Sequence, residues 1–214
     1  MPANTARSKR VPHREGRVFS VKLRNGWFAL LQMLRNPNIA VFNEFRSEDD
    51  WDDIELDVGK VLFVCPVLRA FLKRSQLHFH TKIKPVQSID VPEWTLNPQG
   101  AWENVTVWPG TPHERTVMTK GGEGGVGLYR SFCEPGNVGD EYVPVSLADY
   151  DLYLNIETAH LRDYPEFNER LFLCSELEYN IDPLKELMFR RPMDPICRPY
   201  IGIVSGERIS KYGY

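Results

Sequence analysis

The chain of 214 residues has few cysteines and no long apolar run. Its cysteines form no Cys-x-x-Cys pair, which argues against a zinc knuckle or a disulfide framework, and we expect buried free thiols instead. No stretch approaches the roughly 20 apolar residues that a membrane-spanning helix needs. The basic N-terminus is not followed by the apolar segment of a secretory signal, so we expect a cytoplasmic protein. The four cysteines are Cys65, Cys133, Cys174 and Cys197.

A surplus of positive charge is also lacking. The formal net charge is -3 and the pI is about 6.0. Because binding to phosphate backbones relies on an excess of Lys and Arg, nucleic acid is a disfavoured partner. The hydrophobic content of 42% is enough for a substantial core. We therefore expect a globular protein that folds without disulfides or a structural metal.

Recognisable catalytic motifs are missing as well. The glycine-rich residues 120–127 lack the Gly-Lys-Ser/Thr ending of a phosphate loop, and no serine lies in a Gly-x-Ser-x-Gly turn. Clustered acids on a polar loop are much more often a solvated or partner-facing surface than a tuned catalytic pair, which needs burial to separate the two pKa values. The sequence therefore predicts a protein that is not an enzyme and that needs no cofactor.

Residues 16–67 carry the clearest structural signals. Val18 to Leu23 alternate as a half-buried strand does, and Asn25-Gly26 suits a tight hairpin leading into a second strand. Two further apolar runs, residues 39–45 and 60–67, predict strands. This pattern indicates a bent antiparallel sheet or a small, partly open β-barrel.

The rest of the chain predicts a mixed structure that contains helices, so we assign the α+β class. Residues 66–77 have helical spacing, and Pro85 suggests that residues 83–86 form an edge strand. The Pro- and Trp-rich residues 90–116 favour an irregular path. We expect helices to start near Ser146 and to cover residues 167–177 and 183–190.

Composition also suggests a division of the chain. We expect a flexible basic tail over residues 1–15, a β-rich domain over residues 16–116, and a glycine-rich linker or loop over residues 117–128. A mixed α/β region would then occupy residues 129–214.

A dense acidic segment lies between the third and fourth predicted strands. A surface of this kind speeds association with a basic partner, and a tryptophan within it can serve as a buried anchor at an interface. The alternative is that Trp51, Ile54 and Leu56 face the core while the acids face water. The candidate partner-binding residues are Glu48, Asp49, Asp50, Trp51, Asp52, Asp53 and Glu55.

His78 and His80 lie two residues apart, so on a strand both rings would lie on one face and could begin a metal site. No complete set of ligands can be named from spacing, since His13, His113 and His160 follow no recognisable pattern. We therefore assign no metal ligand, and an enzyme acting through these histidines and nearby acids stays an alternative.

The order of the strand candidates resembles immunity family 26 of bacterial polymorphic toxin systems. The resemblance rests on Gly-Arg-Val-Phe-Ser-Val-Lys-Leu at residues 16–23, Asn-Gly-Trp-Phe-Ala at 25–29, Val-Phe-Asn-Glu-Phe at 41–45 and the runs at 60–67 and 83–86. It covers roughly residues 14–115, and Lys22 stands where that family commonly has proline.

This resemblance implies an immunity protein that acts in competition between bacteria. Such a protein binds a cognate toxin domain in the cytoplasm and inhibits it through a protein–protein contact. The family supplies no catalytic residues, and the toxin's identity does not transfer between its members. The alternative function is a small β-barrel adaptor or nucleic-acid-binding module that uses the basic tail and exposed tryptophans.

Overall fold

A computed structural model describes residues 11–130 and 142–214 of the chain. The α+β class predicted from the sequence is confirmed, and no closed barrel forms among these residues. The strands are β1 Val18–Lys22, β2 Phe28–Met33, β3 Asn38–Arg46, β4 Val61–Pro66, β5 Leu77–Phe79, β6 Trp94–Pro98, β7 Glu103–Val107, β8 Arg115–Thr119, β9 Val126–Arg130 and β10 Tyr142–Pro144. The α-helices are α1 Arg69–Arg74, α2 Glu166–Leu177, α3 Pro183–Met188 and α4 Arg198–Val204. Short 3-10 helices cover Val58–Lys60, Leu147–Tyr153, Pro195–Cys197 and Ile209–Tyr212.

The largest sheet has five antiparallel strands in the order β4-β3-β2-β1-β5. The predicted hairpin joins β1 to β2, and Gly26 adopts a φ of 89° that favours glycine. The Leu23 amide donates to the Trp27 carbonyl at 2.7 Å and closes the turn. Two smaller antiparallel sheets follow, β10-β9-β6 and β7-β8.

The inner face of the five-stranded sheet packs against helices from the C-terminal part. Phe19, Leu31 and Val41 belong to the same buried cluster as Phe167 of α2 and Ile201 of α4. Strands β7 and β8 add to this cluster, and β9 pairs with β6. Core packing and strand pairing therefore both cross the glycine-rich segment that the sequence suggested as a linker.

The outer face of the same sheet is covered by two loops, residues 47–57 and 83–91. Val18 and Leu30 are buried there beside Trp51. Ser20, predicted to lie on the exposed side of a half-buried strand, has only 1% of its surface exposed. Burial in β1 therefore does not alternate, because the acidic loop folds over Ser20, whereas Lys22 at the strand end is exposed.

Four local predictions differ from the structure. Residues 83–86 form no strand; instead, the Gln32 side chain accepts from the Val86 amide at 2.8 Å and donates to its carbonyl at 2.9 Å. Residues 90–116 are not wholly irregular, because β6 and β7 form there with Pro98 at a strand end. The helix near Ser146 is a 3-10 helix, and α1 is shorter than the run that predicted it.

A fully buried ionic network lies beneath α2. Arg170 donates to both oxygens of Glu157, at 2.7 and 2.9 Å, and to the Ile181 carbonyl at 2.9 Å. Arg162 pairs with Glu166 and Asp182. Buried charges are tolerated when they are paired and hydrogen-bonded, and here opposite charges meet within the core.

Within the described parts of the chain, no helix has the length and apolar character needed to cross a membrane.

Candidate functional site

We call residues 47–57 the acidic loop; it contains seven carboxylates and no Lys or Arg. Trp51 fixes the loop to the outer face of the sheet, because its ring is 3% exposed and packs with Val18, Leu30 and Phe42. Its indole Nε1 donates to Asp49 Oδ1 at 2.7 Å. Ile54 and Leu56 are partly buried against the same cluster. The structure therefore shows Trp51, Ile54 and Leu56 facing the core, which was the alternative to an interface role for Trp51.

The structure divides the predicted partner-binding residues into two groups. Asp49 and Trp51 turn inward, so Trp51 does not present its ring as a surface anchor. The other predicted residues are exposed: Glu48, Asp50, Asp52, Asp53 and Glu55. The structure therefore exposes five of the seven predicted residues and buries Trp51, and their binding to a partner stays a prediction.

A different tryptophan lies at this surface. Trp27, in the turn just before β2, is 42% exposed and borders a concavity of about 510 Å³. We call this feature the acidic concavity; its lining residues are Trp27, Phe45, Arg46, Ser47, Glu48, Asp50, Asp52 and Asp53. An exposed aromatic ring surrounded by carboxylates suits a partner that brings both apolar and basic groups.

Arg46 holds the acidic loop in shape from beneath. Its Nη1 donates to the Asp50 carbonyl at 2.8 Å and to Asp53 Oδ1 at 2.6 Å, and its guanidinium lies 4.9 Å from the Trp51 ring centre. The hydrogen bond from Arg46 lowers the pKa of Asp53. One cation therefore orders the loop, while most of the carboxylates stay available to a partner.

The inward side of the acidic loop meets strand β5. Asp49 Oδ1 accepts from the Ser20 hydroxyl at 2.6 Å, and Oδ2 lies 2.6 Å from His78 Nδ1. His80 Nε2 lies 3.0 Å from Ser20 Oγ and 3.4 Å from Asp49 Oδ1. The two imidazole rings are 4.6 Å apart, as expected for residues i and i+2 on one face of a strand.

Burial and hydrogen bonding shift the pKa of Asp49 in opposite directions. Burial alone would raise the pKa of Asp49, but hydrogen bonds with Ser20, Trp51 and His78 outweigh it and hold the pKa below its usual value. Burial lowers the pKa of His80, and the nearby Asp49 carboxylate opposes this only in part. At neutral pH the cluster therefore contains a carboxylate and an uncharged His80 imidazole.

Sequence reasoning identified the two histidines but missed their carboxylate. Asp49 lies 29 residues from His78 along the chain, so no local spacing joins them. It also missed Trp27, whose position in a hairpin signal favoured a structural role over a surface one.

The fold and these side chains define an α+β protein with a covered antiparallel sheet and an ordered acidic surface. The model of the family described as Domain of unknown function (DUF8309) matches residues 8–191, and the chain belongs to this family. No curated protein matches the chain, and no solved structure does.

Proposed function

We propose that this chain is an immunity protein that binds a cognate bacterial toxin through the acidic concavity and blocks the toxin's active site. The observation that carries the proposal is the exposed Trp27 ring beside a rim of carboxylates. The resemblance of residues 14–115 to an immunity family agrees with it. The fitting partner is a toxin domain with a basic cleft, as in enzymes that act on nucleic acids or nucleotides.

Charge distribution supports this choice of partner. The whole chain has a net charge of -3, whereas the acidic loop alone contributes seven negative charges, so the rest of the chain has a net charge of +4. The negative charge is therefore local to one loop. Such a patch attracts a basic surface over long range and raises the association rate at low salt.

The order of the loop supports tight binding. Trp51 and Arg46 fix the loop through contacts within the chain, so a partner does not have to order it. Preorganisation lowers the conformational entropy cost of association. Trp27 can then provide the apolar centre that commonly dominates the energy of an interface.

The decisive experiment is co-expression of the chain with the toxin encoded by the neighbouring gene, followed by co-purification and a growth-protection assay. We expect a stable complex and protection from the toxin. A toxin that neither binds the purified chain nor is neutralised by it would refute the proposal.

Matched variants locate the interface. Trp27→Ala should weaken binding by about 30-fold or more, a loss of about 2 kcal/mol, if this ring is an interface hot spot. The control is Trp102→Ala, because Trp102 is 63% exposed and lies outside the acidic concavity. Equal affinities for the two variants would contradict the assignment of the surface.

Charge reversal tests the electrostatic part separately. Asp50→Lys combined with Asp52→Lys should reduce the association rate and make it less sensitive to salt. Glu123→Lys, an exposed change in the glycine-rich segment, is the control and should leave the rate unchanged. An unchanged rate for the double variant would exclude the acidic loop from the docking face.

A further inference from the structure

Asp49, His78 and His80 form the one group in the described residues whose ligand atoms are placed to hold a metal ion. One nitrogen or carboxylate oxygen from each residue lies within 4.8 Å of the others. We propose that this group is a binding site for a divalent transition metal, with zinc the best match. The inference rests on different residues from the acidic concavity and does not require that a toxin be the partner.

The distances are close to those of a bound state. In a tetrahedral zinc site with bonds of about 2.0–2.2 Å, neighbouring ligand atoms lie about 3.3 Å apart. The distance from Asp49 Oδ2 to His78 Nδ1 is 2.6 Å, and that from Asp49 Oδ1 to His80 Nε2 is 3.4 Å. The three ligand atoms lie within 4.8 Å of one another, so we expect side-chain movement to bring them to one ion.

The surrounding groups orient the carboxylate. Ser20 and the Trp51 indole both donate to Asp49 Oδ1, so Oδ2 is the oxygen placed to bind a metal, which would replace its hydrogen bond with His78 Nδ1. Hydrogen bonds of this kind to a ligand carboxylate are a regular feature of built metal sites. Ser20 pairs with His78 across β1 and β5, so the sheet itself sets the spacing between the orienting hydroxyl and one ligand.

The composition of the group indicates which ion fits. Two imidazoles and one carboxylate match the ligands of zinc sites that keep a fourth position for water. The same ligand set can also bind Fe²⁺ or Co²⁺. The His78 side chain is 66% exposed, so solvent can reach the fourth position. The ion would link the acidic loop to strand β5 and offset part of the loop's negative charge.

The test is titration of the chelator-treated, untagged full chain with ZnCl₂ in a calorimeter, with CoCl₂ absorption as a second probe of coordination. We expect one equivalent of zinc per chain and a cobalt spectrum of tetrahedral type. His80→Ala should lower the affinity at least 100-fold, and Trp51→Phe, which removes the indole donor to Asp49, should lower it about 10-fold. His113→Ala removes a partly exposed imidazole outside the group and should bind as the unaltered chain does.

Circular dichroism of each variant shows whether its fold is intact, and Asp49→Asn keeps the shape of the side chain if His80→Ala does not fold. Substoichiometric or absent binding to the unaltered chain would overturn the proposal. So would equal zinc affinities for His113→Ala and for a folded His80→Ala or Asp49→Asn variant.

Discussion

Arg170→Met should destabilise the protein severely, because it leaves a buried charge without its partner. Arg170 is fully buried and donates to Glu157 through two nitrogens, to the Ile181 carbonyl and to Asn180 Oδ1. Its guanidinium also lies 3.9 Å from the ring centre of Phe63 in β4. The side chain thus joins α2 to the sheet and to two loops.

Removal of one partner from a buried pair costs about 3–5 kcal/mol. For a protein of this size, about 1 kcal/mol corresponds to about 2–4 °C in the melting temperature, so we expect a fall of about 6–20 °C. Urea unfolding followed by circular dichroism measures the change through the midpoint, provided that the slope stays constant.

A surface pair provides the matched control. Lys60 Nζ lies 3.0 Å from Glu44 Oε1, and both side chains are partly exposed to solvent. Lys60→Met should therefore cost about 0–1 kcal/mol. Replacing both Arg170 and Glu157 by Met should cost less than the sum of the two single changes, because neither charge is then left unpaired. The reasoning is refuted if Arg170→Met and Lys60→Met are equally stable.

The same network makes stability depend on acid. Burial alone would raise the pKa values of Glu157 and Asp182, but the neighbouring arginines outweigh it and lower both pKa values. The stabilisation from these carboxylates should therefore be complete above about pH 5 and decrease as the pH falls. Urea midpoints that stay constant from pH 7 to pH 3 would contradict this. Burial raises the pKa of the Cys174 thiol to about 11, that of Cys197 to about 12 and that of Cys65 further still. Iodoacetamide should therefore leave these three thiols unmodified in the native chain and alkylate them in urea, as peptide mass mapping would show; rapid native modification would refute their burial.

Sequence patterns predicted the elements that depend on near neighbours. The Asn25-Gly26 turn fixed the first hairpin, and α3 begins where Asp182 precedes a proline, with Asp182 Oδ1 accepting from the Leu184 amide at 3.2 Å. Strands β6 and β7 were missed because their partners, β9 and β8, come later in the chain and prolines obscure the pattern.

The candidate sites also combine features that local sequence predicts with features that depend on tertiary packing. The shared face of His78 and His80 followed from their spacing on a strand. Their closeness to Asp49 could not be predicted, because it depends on how a loop folds over the sheet. The buried ionic network has no sequence signature either, since isolated charged residues are usually exposed and only tertiary packing brings Arg170 to Glu157.

The cysteines predicted to be buried free thiols are buried at positions 65, 174 and 197. Cys133 and residues 1–10 of the predicted tail lie outside the described residues.

Burial of Trp51 opposes the electrostatic repulsion among the seven carboxylates of the acidic loop. Burial of a tryptophan removes about 150–250 Å² from water, which at about 25 cal/mol per Å² stabilises the loop by about 4–6 kcal/mol. Two like charges 4 Å apart in water repel by only about 1 kcal/mol, and salt reduces this further. Trp51 therefore fixes the loop, and Arg46 relieves the repulsion at Asp53. Because the buried Trp51 side chain also orients Asp49, the shape of the acidic loop and the geometry of the Asp49, His78 and His80 group depend on the same residue.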